Sequence, residues 1–119
     1  MAEQARVSER AEIASLAEKI LVEEPVLIDE LYAWKREWYR DTRRVPDPWV
    51  ARFGAYDDTF DLRFLNALIA HHDEGIVMTK ETRVKTSRAE VQNNADAVED
   101  FLVTTSEVLR GWRDVWYGR

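Results

Sequence analysis

The sequence contains no cysteine, and it has only three prolines, four glycines, two methionines and two histidines. Without cysteine, no disulfide, thiolate metal site or cysteine nucleophile is available. The few prolines and glycines leave little room for the turns of a β fold, so the sequence predicts an all-α protein. No apolar run approaches the roughly 20 residues that a transmembrane helix needs, so we expect no membrane-spanning segment.

The composition predicts one globular domain over residues 1–119, because 45% of the residues are hydrophobic and 34% are charged. The net charge is −6, from 17 basic and 23 acidic residues. This balance argues against nucleic acid as a partner, since phosphate binding needs a positive field. The first residues do not lead into the apolar core of a signal peptide, so we expect none within this sequence.

Two predicted helices carry the same stripe of residues, spaced alternately by four and three, as in packed helices. In the first helix, residues 6–40, the stripe is Ile13, Ala17, Ile20, Glu24, Leu27, Leu31, Trp34 and Trp38. In the last helix, which begins near Ser87 and stops at Gly118, it is Val91, Ala95, Val98, Leu102, Thr105, Leu109, Trp112 and Trp116. A connector, residues 41–56, and another helix, residues 58–84, lie between them.

Pro25 lies inside the first stripe and removes one backbone hydrogen bond, so we expect a kink or a break there. Its neighbour Glu24 is a carboxylate at an otherwise apolar position. Two interpretations stay open. Either the kink lets Glu24 reach water, or Glu24 faces the bundle interior near the histidines.

An internal duplication relates the two helices, since an offset of 78 residues superposes identical residues at eight positions. The first members of these pairs are Arg10, Ala11, Glu12, Ala17, Leu31, Trp34, Trp38 and Tyr39. Residues 57–119 form a complete second repeat, whereas residues 6–40 form a first repeat that lacks its leading helix. We therefore expect a fragment with three long helices of an antiparallel, up-down four-helix bundle. A homodimer that covers the open stripe is also predicted.

The four stripe tryptophans, Trp34, Trp38, Trp112 and Trp116, occupy matching ends of the two helices. Aromatic side chains at a four-residue spacing pack against one another and against a core. We therefore interpret them as core residues and not as an aromatic ligand cage.

The helix between the repeats holds both histidines, His71 and His72, together with Met78. At about 100° per residue, all three fall in the same arc of roughly 180° as the apolar residues of this helix. Asp61 falls in that arc as well. The pattern thus predicts that these side chains point inward.

This stretch resembles the domain of unknown function 305 family, whose pattern here reads Asp61, Phe64, His71, His72, Gly75, Ile76 and Met78. The ending of residues 109–118 resembles that family's Trp-x-x-x-Trp-Tyr-Gly ending. The resemblance implies a ferritin-like four-helix bundle, exported to the periplasm or secreted, in a family with some copper-binding members. The sequence departs from the family's pattern at five positions: Leu68 and Leu109 stand at methionine positions, Ala70 at a proline position, and Glu24 and Leu102 at glutamine positions.

The hypothesis that follows is copper binding by His71, His72 and Met78, with Asp61 and Glu24 as weaker candidates. Imidazole and thioether ligands suit copper, but adjacent histidines on a helix diverge by about 100°. A second helix or a second chain must therefore complete the site. The alternative is a structural or protein-interaction bundle whose histidines only serve the core. We expect no catalysis, because the sequence contains no Glu-x-x-His pair for a di-iron site and no nucleophile motif.

Overall fold

The computed structural model describes residues 1–45 and 52–119, and within them it is all-α, as predicted. The described residues contain four helices: α1 (Ala2–Ala5), α2 (Ala11–Tyr39), α3 (Phe60–Lys85) and α4 (Ala89–Tyr117). The three long helices match the predicted ones within a few residues, whereas the short α1 was not predicted. Part of the predicted connector lies outside the described residues.

The chain divides into two compact units, Met1–Tyr56 and Asp57–Arg119. The first contains α1 and α2, and the second contains α3 and α4. The single domain over residues 1–119, the duplication and the missing helix stay predictions.

In the first unit, α1 packs against α2. Ala5, Ile13 and Ala17 are fully buried, and Ile20 is 5% exposed. Beyond Ile20, the stripe on α2 is less covered, and Leu31 is 41% exposed. The stripe predicted from the spacing is thus buried only in its first part.

Pro25 does not interrupt α2, which runs without a break from Ala11 to Tyr39. The predicted break is therefore wrong, and the predicted kink stays a prediction. A proline removes only one hydrogen bond from the helix ladder. Pro25 lies on the exposed side of α2, where water can solvate the freed carbonyl.

In the second unit, α3 and α4 form an antiparallel hairpin. Arg83, near the end of α3, pairs with Asp96 at 2.9 Å and with Glu99, near the start of α4. Closer to the start of α3, the carboxylate of Asp73 accepts a hydrogen bond from Arg110, near the end of α4, at 2.6 Å. The contacts therefore follow opposite orders along the two helices, which fixes the register between them.

The buried residues of this hairpin are apolar at seven positions and polar at six. The buried apolar residues of α3 and α4 are Phe60, Phe64, Leu65, Leu68, Ile69, Ala95 and Leu109. Burial of the phenylalanine, leucine and isoleucine side chains among them contributes about 1.5 to 3 kcal/mol each. The last helix ends at Gly118, as predicted, with φ of 65° and its N–H bonded to the carbonyl of Asp114 at 2.8 Å.

The four stripe tryptophans form two matching stacked pairs. The ring centroids of Trp34 and Trp38 are 5.5 Å apart, and those of Trp112 and Trp116 are 5.4 Å apart. All four side chains are only partly buried, so their interpretation as core residues is wrong. Stacking on the neighbouring turn covers one ring face and leaves part of each ring at the surface.

Replacing Trp112 with alanine is expected to lower the free energy of unfolding by roughly 2 kcal/mol. This is less than the roughly 3 to 5 kcal/mol for a fully buried tryptophan, because stacking and partial burial are all that is lost. Urea denaturation measures the change. The matched control is Val115→Ala, since Val115 on the same helix is 79% exposed. A Trp112→Ala loss no larger than that of the control would contradict this placement.

Candidate functional site

His72 is the one histidine of α3 that faces the interior, with 1% of its surface exposed. Burial, with a smaller contribution from His71, lowers the pKa of His72 from 6.5 to about 4, and Asp73 opposes the shift. Its Nδ1 atom is buried and has no hydrogen-bond partner among the described residues. His72 is therefore neutral at pH 7, the form in which imidazole binds a metal ion.

His71 lies on the exposed side of α3. The ring centroids of His71 and His72 are 6.5 Å apart, and their planes are tilted by 46°. Adjacent helix positions diverge by about 100°, so one ring enters the interior while the other meets solvent. The prediction that both histidines point inward is wrong for His71.

Met78 is also exposed, at 64% of its surface, so its predicted inward position is wrong. The buried face of this part of α3 centres on Leu68, His72 and Thr79. His71 and Met78 lie about 80° to 100° to one side of that centre. The predicted arc of roughly 180° was too wide, and these two residues lie at its edge.

The weaker candidates, Asp61 and Glu24, lie in different units of the chain. Asp61 is buried, as predicted, with 5% of its surface exposed, in the first turn of α3. It precedes His72 by eleven residues, which is about 16.5 Å along the helix axis. Glu24 is half-exposed on α2, in the first unit. Within residues 1–45 and 52–119, no three His, Cys, Asp or Glu side chains form a group that could hold a metal ion.

The Oγ of Ser106 on α4 is another buried polar atom without a hydrogen-bond partner among the described residues, and no sequence pattern had indicated it. Two contacts between α3 and α4 lie on either side of Ser106 along α4: Gly75 approaches Leu102, and Asp73 pairs with Arg110. Ser106 thus lies within about one helical turn of the level of His72. Its neighbour Thr105 marked the predicted stripe, but spacing alone does not reveal a buried, unpaired hydroxyl.

The fold and these positions define an all-α helical bundle with a buried neutral imidazole on one helix. No protein-family model matches the chain, and no curated protein sequence matches it either. Solved structures do match. The structure of CopM in the Cu(I)-bound form has a TM-score of 0.84 and 25% identity, covering 98% of this chain and 84% of that one.

Two further structures of CopM give the same result. The Ag-bound form has a TM-score of 0.85 and 26% identity, covering 98% of this chain and 84% of that chain. The Cu(II)-bound form has a TM-score of 0.84 and 25% identity, covering 98% and 85%. The chain is therefore similar to a protein whose solved forms hold copper or silver.

Proposed function

We propose that the chain is a non-catalytic helical bundle that binds copper through His71, His72 and Met78. The observation that carries the proposal is His72: a buried imidazole, neutral at pH 7, whose Nδ1 has no partner among the described residues. A buried polar group without a partner costs about 1 to 3 kcal/mol. A ligand that occupies the nitrogen offsets this cost.

The chemistry of the donors fits copper. Imidazole nitrogen and thioether sulfur are borderline and soft ligands, which suit Cu(I) better than hard cations. The similarity to CopM, which was solved with Cu(I), Cu(II) and Ag, supports the same class of ion. Because His72 is buried and the other two donors are exposed, the three do not form one ready-made site in a single chain.

Further parts of the proposal rest on the sequence. The resemblance to the domain of unknown function 305 family supports a location in the periplasm or outside the cell. Among the described residues, no helix is both long and apolar enough to cross a membrane. The net charge of −6 supports a metal ion, and not nucleic acid, as the partner.

A second function, a structural or protein-interaction bundle without metal, is favoured by one observation. The described residues contain no group of three His, Cys, Asp or Glu side chains placed to hold an ion. In that case His72 serves only to fill the interior, and copper binds no better than to an arbitrary helical protein.

An anaerobic Cu(I) titration against a chromogenic chelator distinguishes the two. The wild-type chain is expected to bind Cu(I) tightly and stoichiometrically, and the double variant His71→Ala, His72→Ala to bind more than about 100-fold more weakly. Loss of even an outer-shell partner costs roughly 10- to 100-fold in metal affinity, and this variant loses ligands. The matched control is Val77→Ala, Val84→Ala, two exposed positions of the same helix. Equal, weak binding by all three chains would favour the structural function.

A further inference from the structure

The two exposed donors of α3 lie on one stripe of its surface. Met78 follows His71 by seven residues, which is a rotation of only about 20° and a rise of about 10.5 Å. Both side chains are open to solvent, Met78 at 64% of its surface. The α3 stripe, defined here as His71, Glu74 and Met78, therefore presents an imidazole and a thioether on the same face, two turns apart.

One chain does not bring these two donors together. Side chains of a helix all lean toward its N-terminus, so His71 and Met78 lean the same way and the gap of two turns stays open. Each donor alone offers an ion only one ligand. The stripe is a pair of half-sites that needs a second molecule.

We infer that a second copy of this chain completes both half-sites. Two α3 helices that pair antiparallel about a two-fold axis beside residues 74 and 75 bring His71 of one copy opposite Met78 of the other. The same symmetry repeats the contact, so the dimer holds two shared soft metal ions, each bound by His71 of one copy and Met78 of the other, and an ion on the buried His72 is bound separately within each chain. The inference rests on the proposed copper binding and names the partner that completes it.

Charge makes this pairing dependent on the metal. Glu74 lies beside the two-fold axis, so the carboxylates of the two copies approach one another, and like charges at short range repel. Cations bound on either side of the axis offset that repulsion. The antiparallel direction also opposes the two helix dipoles, which a parallel pair would align. A parallel pair would set His71 against His71 and Met78 against Met78.

Mixing two variants, each lacking one donor, tests the antiparallel dimer. His71→Ala loses the imidazole of both sites in its own dimer, and Met78→Leu loses the thioether of both. A mixed dimer of the two variants retains one intact site, with His71 from one chain and Met78 from the other. Under Ag(I) or anaerobic Cu(I), native mass spectrometry is expected to show each variant alone at the 14.0 kDa of one chain. The mixture is expected to show a dimer that holds one shared ion between the chains, and the wild-type chain a dimer that holds two shared ions.

The outcomes separate this inference from the proposed function. A wild-type chain that binds the ion tightly as a monomer, or a mixture that stays monomeric, overturns the shared site and leaves copper binding in place. A wild-type chain that binds no ion overturns both. Metal-dependent dimers of the single variants, without any gain on mixing, would indicate a parallel pair and contradict the antiparallel register. Val77→Ala, at the 55% exposed neighbour of Met78, is the control and is expected to dimerise like the wild-type chain.

Discussion

Replacing His72 with leucine is expected to make the metal-free protein markedly less sensitive to acid. In the wild-type chain, burial holds the pKa of His72 at about 4, whereas the unfolded chain has the ordinary value of 6.5. Between these values the unfolded state binds a proton that the folded state does not. The free energy of unfolding therefore falls as pH drops from about 6.5 to about 4, by up to about 1.4 kcal/mol per pH unit. Leucine removes this contribution.

At pH 7 the same variant is expected to be as stable as the wild-type chain or slightly more stable. Leucine fills a similar volume and leaves no buried polar nitrogen unpaired, and such exchanges are nearly neutral or stabilising. Urea unfolding in the presence of a chelator at pH 7.5, 6 and 5 measures both effects.

The control for acid sensitivity is His71→Ala. It should keep most of the effect, because burial contributes more to the pKa shift of His72 than the charge of His71 does. Parallel stability curves for the wild-type chain and His72→Leu across this pH range would contradict the buried, neutral imidazole.

Replacing Gly75 with leucine is expected to destabilise the second unit by roughly 3 kcal/mol, through overpacking between α3 and α4. A Cβ atom at Gly75 would already lie 2.7 Å from Cδ1 of Leu102. Alanine is tolerated better, because the end of the Leu102 side chain can rotate away. A leucine has no space to enter without separating the helices.

Gly111 provides the matched control, since a Cβ atom there meets nothing within 4 Å. Gly111→Ala is expected to stabilise the protein by roughly 0.5 to 1 kcal/mol, the usual gain inside a helix. Adding Leu102→Ala to Gly75→Leu should recover part of the loss, because the two side chains compete for the same volume. Thermal unfolding of the wild-type chain, Gly75→Leu, Gly111→Ala and the double variant Gly75→Leu, Leu102→Ala gives these differences. A Gly75→Leu variant as stable as the wild-type chain would show that the close approach is absent.

The long helices could be predicted because apolar spacing and helix ends are local properties of the sequence. The apolar spacing in α2 and α4 predicted the bounds of both helices within a few residues, and Gly118 predicted the end of α4. The exposure of His71 and Met78 could not be predicted in the same way. A helical wheel gives an apolar arc, but the centre of the buried face depends on where the neighbouring helices lie.

The same limit applies to the finer features of the candidate site. The burial of His72 followed from its position among Leu68 and Ile69, whereas its unpaired Nδ1 depends on which α4 residues lie opposite. That register is set by long-range pairs such as Arg110 with Asp73. The tryptophan pairs were misplaced for a related reason, since a four-residue spacing allows stacking along the helix surface as well as core packing.

Nuclear magnetic resonance during Ag(I) addition tests copper binding by α3 most directly. Silver(I) is a soft ion like Cu(I), and the chain has only two histidines and two methionines. Labelling imidazole nitrogens and methionine methyls therefore gives one assignable set of signals for each of His71, His72, Met78 and Met1. Stoichiometric Ag(I) is expected to shift the signals of both histidines and of Met78 and to leave the Met1 signal unchanged. Unchanged histidine and Met78 signals, or a response of Met1 alone, would contradict it.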